Sequence, residues 1–208
     1  MFAPREFEWD EAKEASNRTK QGISFAAATR AFEDPRRIDY DASRAGDGEA
    51  RRKVVGLIGN RLYTVVYTIR GGGLESSRRD VQTARKGGSM TIVRYKPEPK
   101  NPARLTPDEE AFQDALTEED IERLAREDPD NPPSTEEELA RGVAARDVRL
   151  AREKTGLSQS QFAKRYRINL ARLRDVEQGR TMPDSAFLAY IRVIHREPEA
   201  VDRALSAA

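Results

Sequence analysis

The sequence predicts an α+β domain, built from two helices and an antiparallel sheet, joined by an acidic linker to an all-α domain. Helical patterns open the chain and give way to runs rich in β-branched and aromatic residues, whereas beyond residue 116 only helical patterns occur. Charge divides the chain in a similar way. Residues 1–89 hold 17 basic and 13 acidic residues (+4), residues 90–140 hold 6 and 15 (−9), and residues 141–208 hold 14 and 8 (+6). We take these ranges as two domains and the linker between them.

Composition excludes several classes of protein. The chain has no cysteine, which rules out a disulfide framework and fits a reducing cytoplasm. No apolar run approaches the roughly 20 residues of a membrane span, and no secretory signal opens the chain. We expect a cytoplasmic protein without cofactor, metal or membrane partner, whose basic ends suit nucleic acids. The acidic middle would either cover a basic end or form a solvated linker.

Local signals define the helices of the first domain. Residues 7–9 (FEW) form a brief strand or helix lead-in, and Asp10 is placed as an N-cap. The polar helix that follows ends at Gly22. Ser24 caps a second helix, which stops before Pro35.

Strand signals come next. Residues 36–41 and 51–58 are candidate strands, and Gly59-Asn60 is a tight hairpin signal. Residues 61–69 (RLYTVVYTI) are β-branched or aromatic almost throughout and give the strongest strand signal. Two helices followed by an antiparallel meander indicate an α+β layout.

Several short motifs in this domain resemble the BrnT family of toxins, which have a RelE-like fold and act as ribonucleases on messenger RNA. The resemblance covers about Glu6 to Gly73. The motifs that carry it are FEWD (7–10), ASN (15–17), KQGISF (20–25), FEDP (32–35), DGE (47–49) and the strand 61–70.

The resemblance implies a messenger RNA partner and a set of catalytic candidates. Such enzymes use the 2′-OH of the RNA as nucleophile, with a proton acceptor and cations that hold the phosphate. Glu49 would accept a proton, and the other candidates are Lys20, Arg51, Tyr67 and Arg70. Each has a plain alternative: a cation at a helix C-terminus for Lys20, a surface ion pair for Glu49 and Arg51, and packing for Tyr67. The family commonly has His where this chain has Gln21.

Residues 74–89 (LESSRRDVQTARKGGS) have neither strand alternation nor a helical face. With suitable codons, the DNA for this stretch, read two bases later, encodes RIISARRANRAERRLY, which resembles the ending of family members. We hypothesise that a one-base slip near residues 71–73 put the toxin out of frame and joined it to an antitoxin starting at Met90. The alternative is a deliberate join, because Gly87-Gly88-Ser89 resembles a linker.

Loss of the C-terminal segment of the family would have the same consequences whether it arose from a frame shift or from a deliberate join. The strand 61–69 would gain an open edge, which residues 91–95 (TIVRY) would fill. The arginines of the lost segment would have been phosphate ligands, so we expect weak or absent ribonuclease activity.

The linker, residues 90–140, begins with a proline-rich spacer over residues 95–107. Thr117 caps a helix with Ile121 and Leu124 on its apolar face, and Ser134 or Thr135 caps another. This acidic pair resembles the toxin-covering region of small antitoxins. The alternative is that Ile121 and Leu124 pack on the C-terminal domain.

Residues 157–180 predict two short helices joined by a tight turn. Ser158 and Asn169 are placed as their N-caps, and Gly179 ends the second helix. The run resembles the helix-turn-helix of Xre-type repressors, and more closely that of HigA-type antitoxins. That family commonly has Gly in the turn, where φ is positive, and this chain has Arg167, at a cost of about 1 kcal/mol.

The resemblance implies that the second helix enters the major groove of operator DNA. Gln159 would hold the DNA backbone, aided by Arg172 and Arg180. The other DNA-binding candidates are Gln161, Asn169, Leu170, Ala171, Arg174 and Asp175. The alternative is a fold of this type used only for dimerisation.

Helices over residues 184–195 and 198–205 close the chain, and we expect a homodimer because such repressors bind paired half-sites. The sequence thus predicts a toxin–antitoxin fusion that represses its own operon, with an inactive toxin domain. One rival is a working ribonuclease held silent by its tethered antitoxin. Another is a plain transcription regulator with a non-enzymatic first domain.

Overall fold

The chain folds into two units, each described here by itself. The computed structural model describes residues 6–70, 80–82, 91–98 and 100–206, with the backbone alone at residues 70 and 80–82. Within these ranges, residues 6–37 and 42–133 form the sheet unit. Residues 38–41 and 134–206 form the helical unit.

Capping side chains determine where the first helices of the sheet unit begin. Strand β1 (Glu6–Asp10) runs into helix α1 (Glu11–Gln21), because the Asp10 side chain accepts a hydrogen bond from the Lys13 amide. Gly22 ends α1 with a φ of 62°, a conformation that glycine adopts without strain. Ser24 caps helix α2 (Phe25–Ala28), which continues as a 3₁₀ turn over Thr29–Phe32.

A long hairpin forms the centre of the sheet. Strands β3 (Arg51–Ile58) and β4 (Arg61–Arg70) pair from Arg51 opposite Thr68 to Ile58 opposite Arg61. They are joined at Gly59, which has a φ of 60°, as the hairpin signal predicts. Beyond them lie β5 (Asp80–Gln82), β1 and β6 (Ile92–Tyr95), in the order β3-β4-β5-β1-β6. The β1–β5 pair is parallel, and the other pairs are antiparallel.

The strand over residues 92–95 does not fill the edge of β4, so that prediction is wrong. It pairs with β1 instead, where Arg94 binds Glu8 at 2.7 Å and the Tyr95 ring lies 5.7 Å from the Trp9 ring. The backbone of β5 pairs with the last three residues of β4. Residues 74–79 and 83–89 of the altered segment lie outside the described residues.

Aromatic side chains fill the core of the sheet unit. The Phe32 ring meets Phe7 and Tyr67 edge-on, with centroid distances of 5.2 and 5.0 Å. Trp9 and Phe25 are paired in the same way at 5.8 Å. Gly56 of β3 lies against the Ala31 backbone so closely that a Cβ atom would be 2.2 Å from the Ala31 carbonyl oxygen. This close contact brings the 3₁₀ turn onto the sheet.

Two acidic helices complete the sheet unit. Helices α3 (Pro107–Ala115) and α4 (Glu118–Glu127) begin at the capping boxes of Thr106 and Thr117. We call residues 106–131 the acidic arm. Helix α4 is predicted from the sequence and α3 is not, although Thr106-Pro107-Asp108-Glu109 is a helix-start signal.

The helical unit packs five helices with one strand. Helices α5 (Glu136–Lys154), α6 (Gln159–Arg165) and α7 (Leu170–Glu177) precede α8 (Ser185–Arg196) and α9 (Pro198–Ser206). Thr135 caps α5, which runs through the 140/141 boundary of the sequence analysis. The unit also contains β2 (Ile38–Asp41). Its core is formed by Val148, Phe162, Tyr166, Leu173, Val176, Ile191 and Ile194. No helix in the described ranges is sufficiently long and apolar to cross a membrane.

Candidate nucleic-acid interface and catalytic residues

Helices α6 and α7 and the turn between them have the geometry that the caps predict. The Ser158 hydroxyl accepts a hydrogen bond from the Gln161 amide, and the Asn169 side chain accepts one from the Arg172 amide. Arg167 lies in the turn with a φ of 52°, so the turn keeps the left-handed conformation despite the absence of glycine. Its guanidinium donates a hydrogen bond of 2.6 Å to the Leu205 carbonyl of α9.

A buried polar network joins α5, α6 and α7. Arg152 of α5 donates from Nε and Nη2 to the Glu177 carboxylate of α7, at 2.7 and 3.1 Å. Gln159 of α6 donates to the same carboxylate at 2.7 Å, and Glu177 is only 5% exposed. The sequence analysis did not assign a role to Arg152 or Glu177. The network holds Gln159 in one place at the start of α6.

The basic DNA-binding candidates differ in how far they are already paired. Arg172 binds the Asp184 carboxylate and lies 4.7 Å above the Phe187 ring, and the same carboxylate caps α8. The Phe187 amide and Arg172 lower the pKa of Asp184. Arg174 makes no side-chain hydrogen bond or ion pair within the described part of the chain.

The remaining candidates on α7 and after it vary in exposure. Ala171 is exposed, and Asp175 is half-buried. Arg180 pairs with Asp175 at 3.5 Å and with Asp41 at 3.8 Å. Leu170 is half-buried and packs against the helical core. Its apolar side chain is stabilised by this burial.

Two of the predicted catalytic residues, Tyr67 and Arg51, lie on opposite faces of the sheet. Tyr67 is 4% exposed, its ring packs on Phe32, and its hydroxyl accepts a hydrogen bond of 3.1 Å from Arg52. Cross-strand partners share a face, so Tyr67 lies on the face of Arg52, and Arg51 lies on the face of Thr68. The sheet therefore separates Tyr67 from Arg51, and the Tyr67 ring packs in the core.

The other catalytic candidates lie in different elements of the sheet unit. Arg51 pairs with the Asp47 carboxylate at 3.4 Å. Lys20 is exposed in the last turn of α1, and Glu49 is exposed in the loop before β3. Arg70 ends β4, and its side chain lies outside the described residues. The described residues contain no group of His, Cys, Asp and Glu that could hold a metal ion.

A cleft of about 470 Å³ lies between α1, β4 and the acidic arm. Lys13, Arg51 and Arg61 are its basic lining residues. Two of them pair with the arm: Lys13 with Asp130 at 3.1 Å and Arg61 with Asp114 at 3.1 Å. Burial raises the pKa of the Tyr63 hydroxyl, which also lines the cleft.

Helix α3 contacts the turn between α1 and α2 mainly through backbone atoms of that turn. Glu109, 4% exposed, accepts from the Ser24 amide at 2.9 Å and pairs with Arg18 at 3.3 Å. Gln113 donates to the carbonyls of Gln21 and Gly22, at 2.6 and 3.2 Å. The Phe112 ring occupies the place that a side chain at Gly22 would need.

These features define a chain with an α+β domain, covered on one side by an acidic arm, and a separate helix-turn-helix unit. Residues 9–86 match the family model described as the ribonuclease toxin BrnT of a type II toxin–antitoxin system, and residues 144–205 match a helix-turn-helix domain model. The chain therefore joins a BrnT toxin domain to a helix-turn-helix domain, as the sequence predicts. No curated protein matches it. The BrnT match extends beyond Gly73, where the sequence analysis ended the resemblance.

Proposed function

We propose that this protein is an operator-binding regulator of its own operon, which acts in the cytoplasm as a homodimer and carries an inactive toxin domain. The observation that carries DNA binding is the arrangement of α7. Leu173 and Val176 fix one side of the helix in the core, while Ala171 is exposed and Arg174 has no side-chain partner within the described residues. Arg is the side chain best suited to a bidentate contact with guanine in the major groove.

The network beneath this surface supports the same function. Because Glu177 holds both Arg152 and Gln159, the start of α6 keeps a fixed position relative to α7. A fixed position lets one helix contact phosphates while the other contacts base edges. Two copies would present two such pairs of helices to the half-sites of an operator.

Inactivity of the toxin domain is supported by the ion pairs that its basic side chains already make. Lys13, Arg18 and Arg61 are each paired with a carboxylate of the acidic arm, which leaves fewer cations for RNA phosphate. The frame-shift hypothesis adds the loss of the arginines that would end the domain.

The same ion pairs favour a second candidate function, an active ribonuclease silenced by its own arm. An acidic segment over a basic surface competes with RNA for that surface. In this alternative, releasing the arm restores RNA cleavage, whereas in our proposal it does not. The plain regulator with a non-enzymatic first domain differs from both, since it assigns no inhibitory role to the arm.

Binding to the DNA upstream of the coding sequence tests the proposal. We expect Arg174→Gln to weaken binding to this DNA about tenfold and to reduce its preference over a scrambled duplex, because a bidentate base contact is lost. Arg203→Gln on α9, where Arg203 pairs only weakly with Glu199 at 4.0 Å, is the matched control for the lost charge. Fluorescence anisotropy at several salt concentrations gives the affinity and its salt slope. A wild-type chain without preference for upstream DNA contradicts the proposal.

A further inference from the structure

The side chain of Tyr40 occupies a closely fitting site in the helical unit, formed with Ser134, Gly142 and Gly179, which we call the tyrosine socket. Tyr40 of β2 is fully buried, and its hydroxyl lies 2.5 Å from the Ser134 hydroxyl oxygen. Two glycines make room for it. A Cβ atom on Gly142 would lie 2.8 Å from Tyr40 Cδ1, and one on Gly179 would lie 2.6 Å from Tyr40 Cβ.

Both glycines lie at positions where the backbone conformation makes the residue type matter for stability. Gly142 is inside the 19-residue helix α5, where glycine costs about 0.5–1 kcal/mol relative to alanine. The close approach of the Tyr40 ring provides a reason for this glycine. Gly179 follows α7 with a φ of 62° and accommodates both the left-handed turn and the Tyr40 backbone. The socket therefore holds β2 at the end of α7.

The strand in the socket brings a carboxylate to a DNA-binding candidate. Asp41 follows Tyr40, and Arg180 follows Gly179. The Arg180 guanidinium lies 3.8 Å from the Asp41 carboxylate and 3.5 Å from that of Asp175. Asp175 belongs to α7 itself, whereas Asp41 comes from a distant part of the sequence.

We propose that β2 is an autoinhibitory contact, in which Asp41 occupies the place of a DNA phosphate at Arg180. This proposal rests on operator binding by α7. A phosphate that binds at Nε of Arg180 must displace Asp41, so the strand lowers DNA affinity by competing for this side of the guanidinium. Arg180 is half exposed, and an ion pair at such a position is weak and salt-sensitive. The contact therefore tunes operator affinity and does not abolish it.

The test compares the full chain with its Asp41→Asn variant on the duplex of upstream DNA. We expect Asp41→Asn to bind about threefold more tightly at low salt and to steepen the salt dependence by about one unit of slope, because one additional phosphate contact forms. Glu199→Gln on α9 is the matched control, since it removes one negative charge that faces Arg203 instead of Arg180. We expect its affinity to equal that of the wild-type chain.

A double variant identifies Arg180 as the point of competition. In an Arg180→Gln background, Asp41→Asn should have no effect, since the cation for which phosphate and Asp41 compete is absent. An equal gain in both backgrounds, or a gain as large for Glu199→Gln, overturns the inference. If thermal unfolding reveals that Asp41→Asn has lost its fold, Asp41→Ser takes its place.

The outcomes separate this inference from the proposed function. Wild-type binding to upstream DNA with no change in Asp41→Asn refutes autoinhibition and leaves operator binding intact. Specific binding by the wild-type chain together with tighter binding by Asp41→Asn supports both. Absence of specific binding in every variant refutes both.

Discussion

Arg167 illustrates, at the scale of a single residue, how a disfavoured backbone conformation is retained. A left-handed conformation costs an L-residue about 1–2 kcal/mol, and Arg167 adopts it with a φ of 52°. Its hydrogen bond to the Leu205 carbonyl offsets part of that cost. The turn is thus stabilised by a contact with α9 in place of glycine.

Substitution of Arg167 separates the two contributions. Arg167→Gly and Arg167→Ala both lose the hydrogen bond to Leu205, but only alanine retains a Cβ atom in the left-handed turn. We expect the glycine variant to be more stable than the alanine variant by about 1 kcal/mol. Urea unfolding followed by circular dichroism measures the difference. Equal stabilities, or a more stable alanine variant, would refute strain at this position.

At the scale of elements, the helix ends were predictable because their signals are local. Asp10, Ser158 and Asn169 each cap the helix that the sequence assigns to them. A cap needs only a side chain and a backbone amide about three residues away, so residues that are close in sequence are sufficient to predict it. Helix α3 was missed because Thr106 and Pro107 close a proline-rich stretch and were taken as part of the spacer.

Contacts between distant residues were not predictable in this way. The pairing of β6 with β1 depends on Arg94 and Glu8, which are 86 positions apart. The socket for Tyr40 depends on Gly142 and Gly179, and no spacing rule connects these residues. Tyr67 and Arg51 lie on opposite sheet faces because of the register between β3 and β4. The sequence of one strand alone does not specify that register.

The attachment of α3 gives a prediction for one element. Gln113→Ala removes two hydrogen bonds to the buried turn at Gln21 and Gly22 and leaves their carbonyls without that donor. We expect the sheet unit to lose about 1–3 kcal/mol of stability. Trp9 is the only tryptophan of the chain and lies in the sheet core, so its fluorescence during urea unfolding reports this unit.

A matched substitution on the same helix controls for helix propensity. Glu110→Ala changes an exposed residue of α3, and we expect the Trp9 unfolding curve to remain close to that of the wild-type chain. If both variants lower the midpoint equally, α3 contributes through its own helicity and Gln113 has no special role in attachment.

At the scale of the whole molecule, two features of the chain bear on the inactivity that we propose for its BrnT-like domain. The acidic arm pairs with Lys13, Arg18 and Arg61. The frame-shift hypothesis adds a lost ending of the toxin-like domain. The first feature would silence an active enzyme, and the second would remove its activity. Experiments that change each feature separately distinguish them.

Restoring the ending while weakening the arm tests which feature accounts for the inactivity that we propose. In one chain, residues 74–89 are replaced by RIISARRANRAERRLY, and Gln113→Ala weakens the contact of α3 with the toxin domain. We expect this chain to cleave messenger RNA, because the restored arginines can hold the phosphate as charge develops. The chain with Gln113→Ala alone should remain inactive, since those arginines are still missing.

A replacement in which every restored arginine is glutamine controls for the altered length and shape of the ending. Cleavage by the Gln113→Ala chain alone would instead establish an active nuclease silenced by its arm, and inactivity of the restored chain would refute the frame-shift hypothesis as the reason for lost activity.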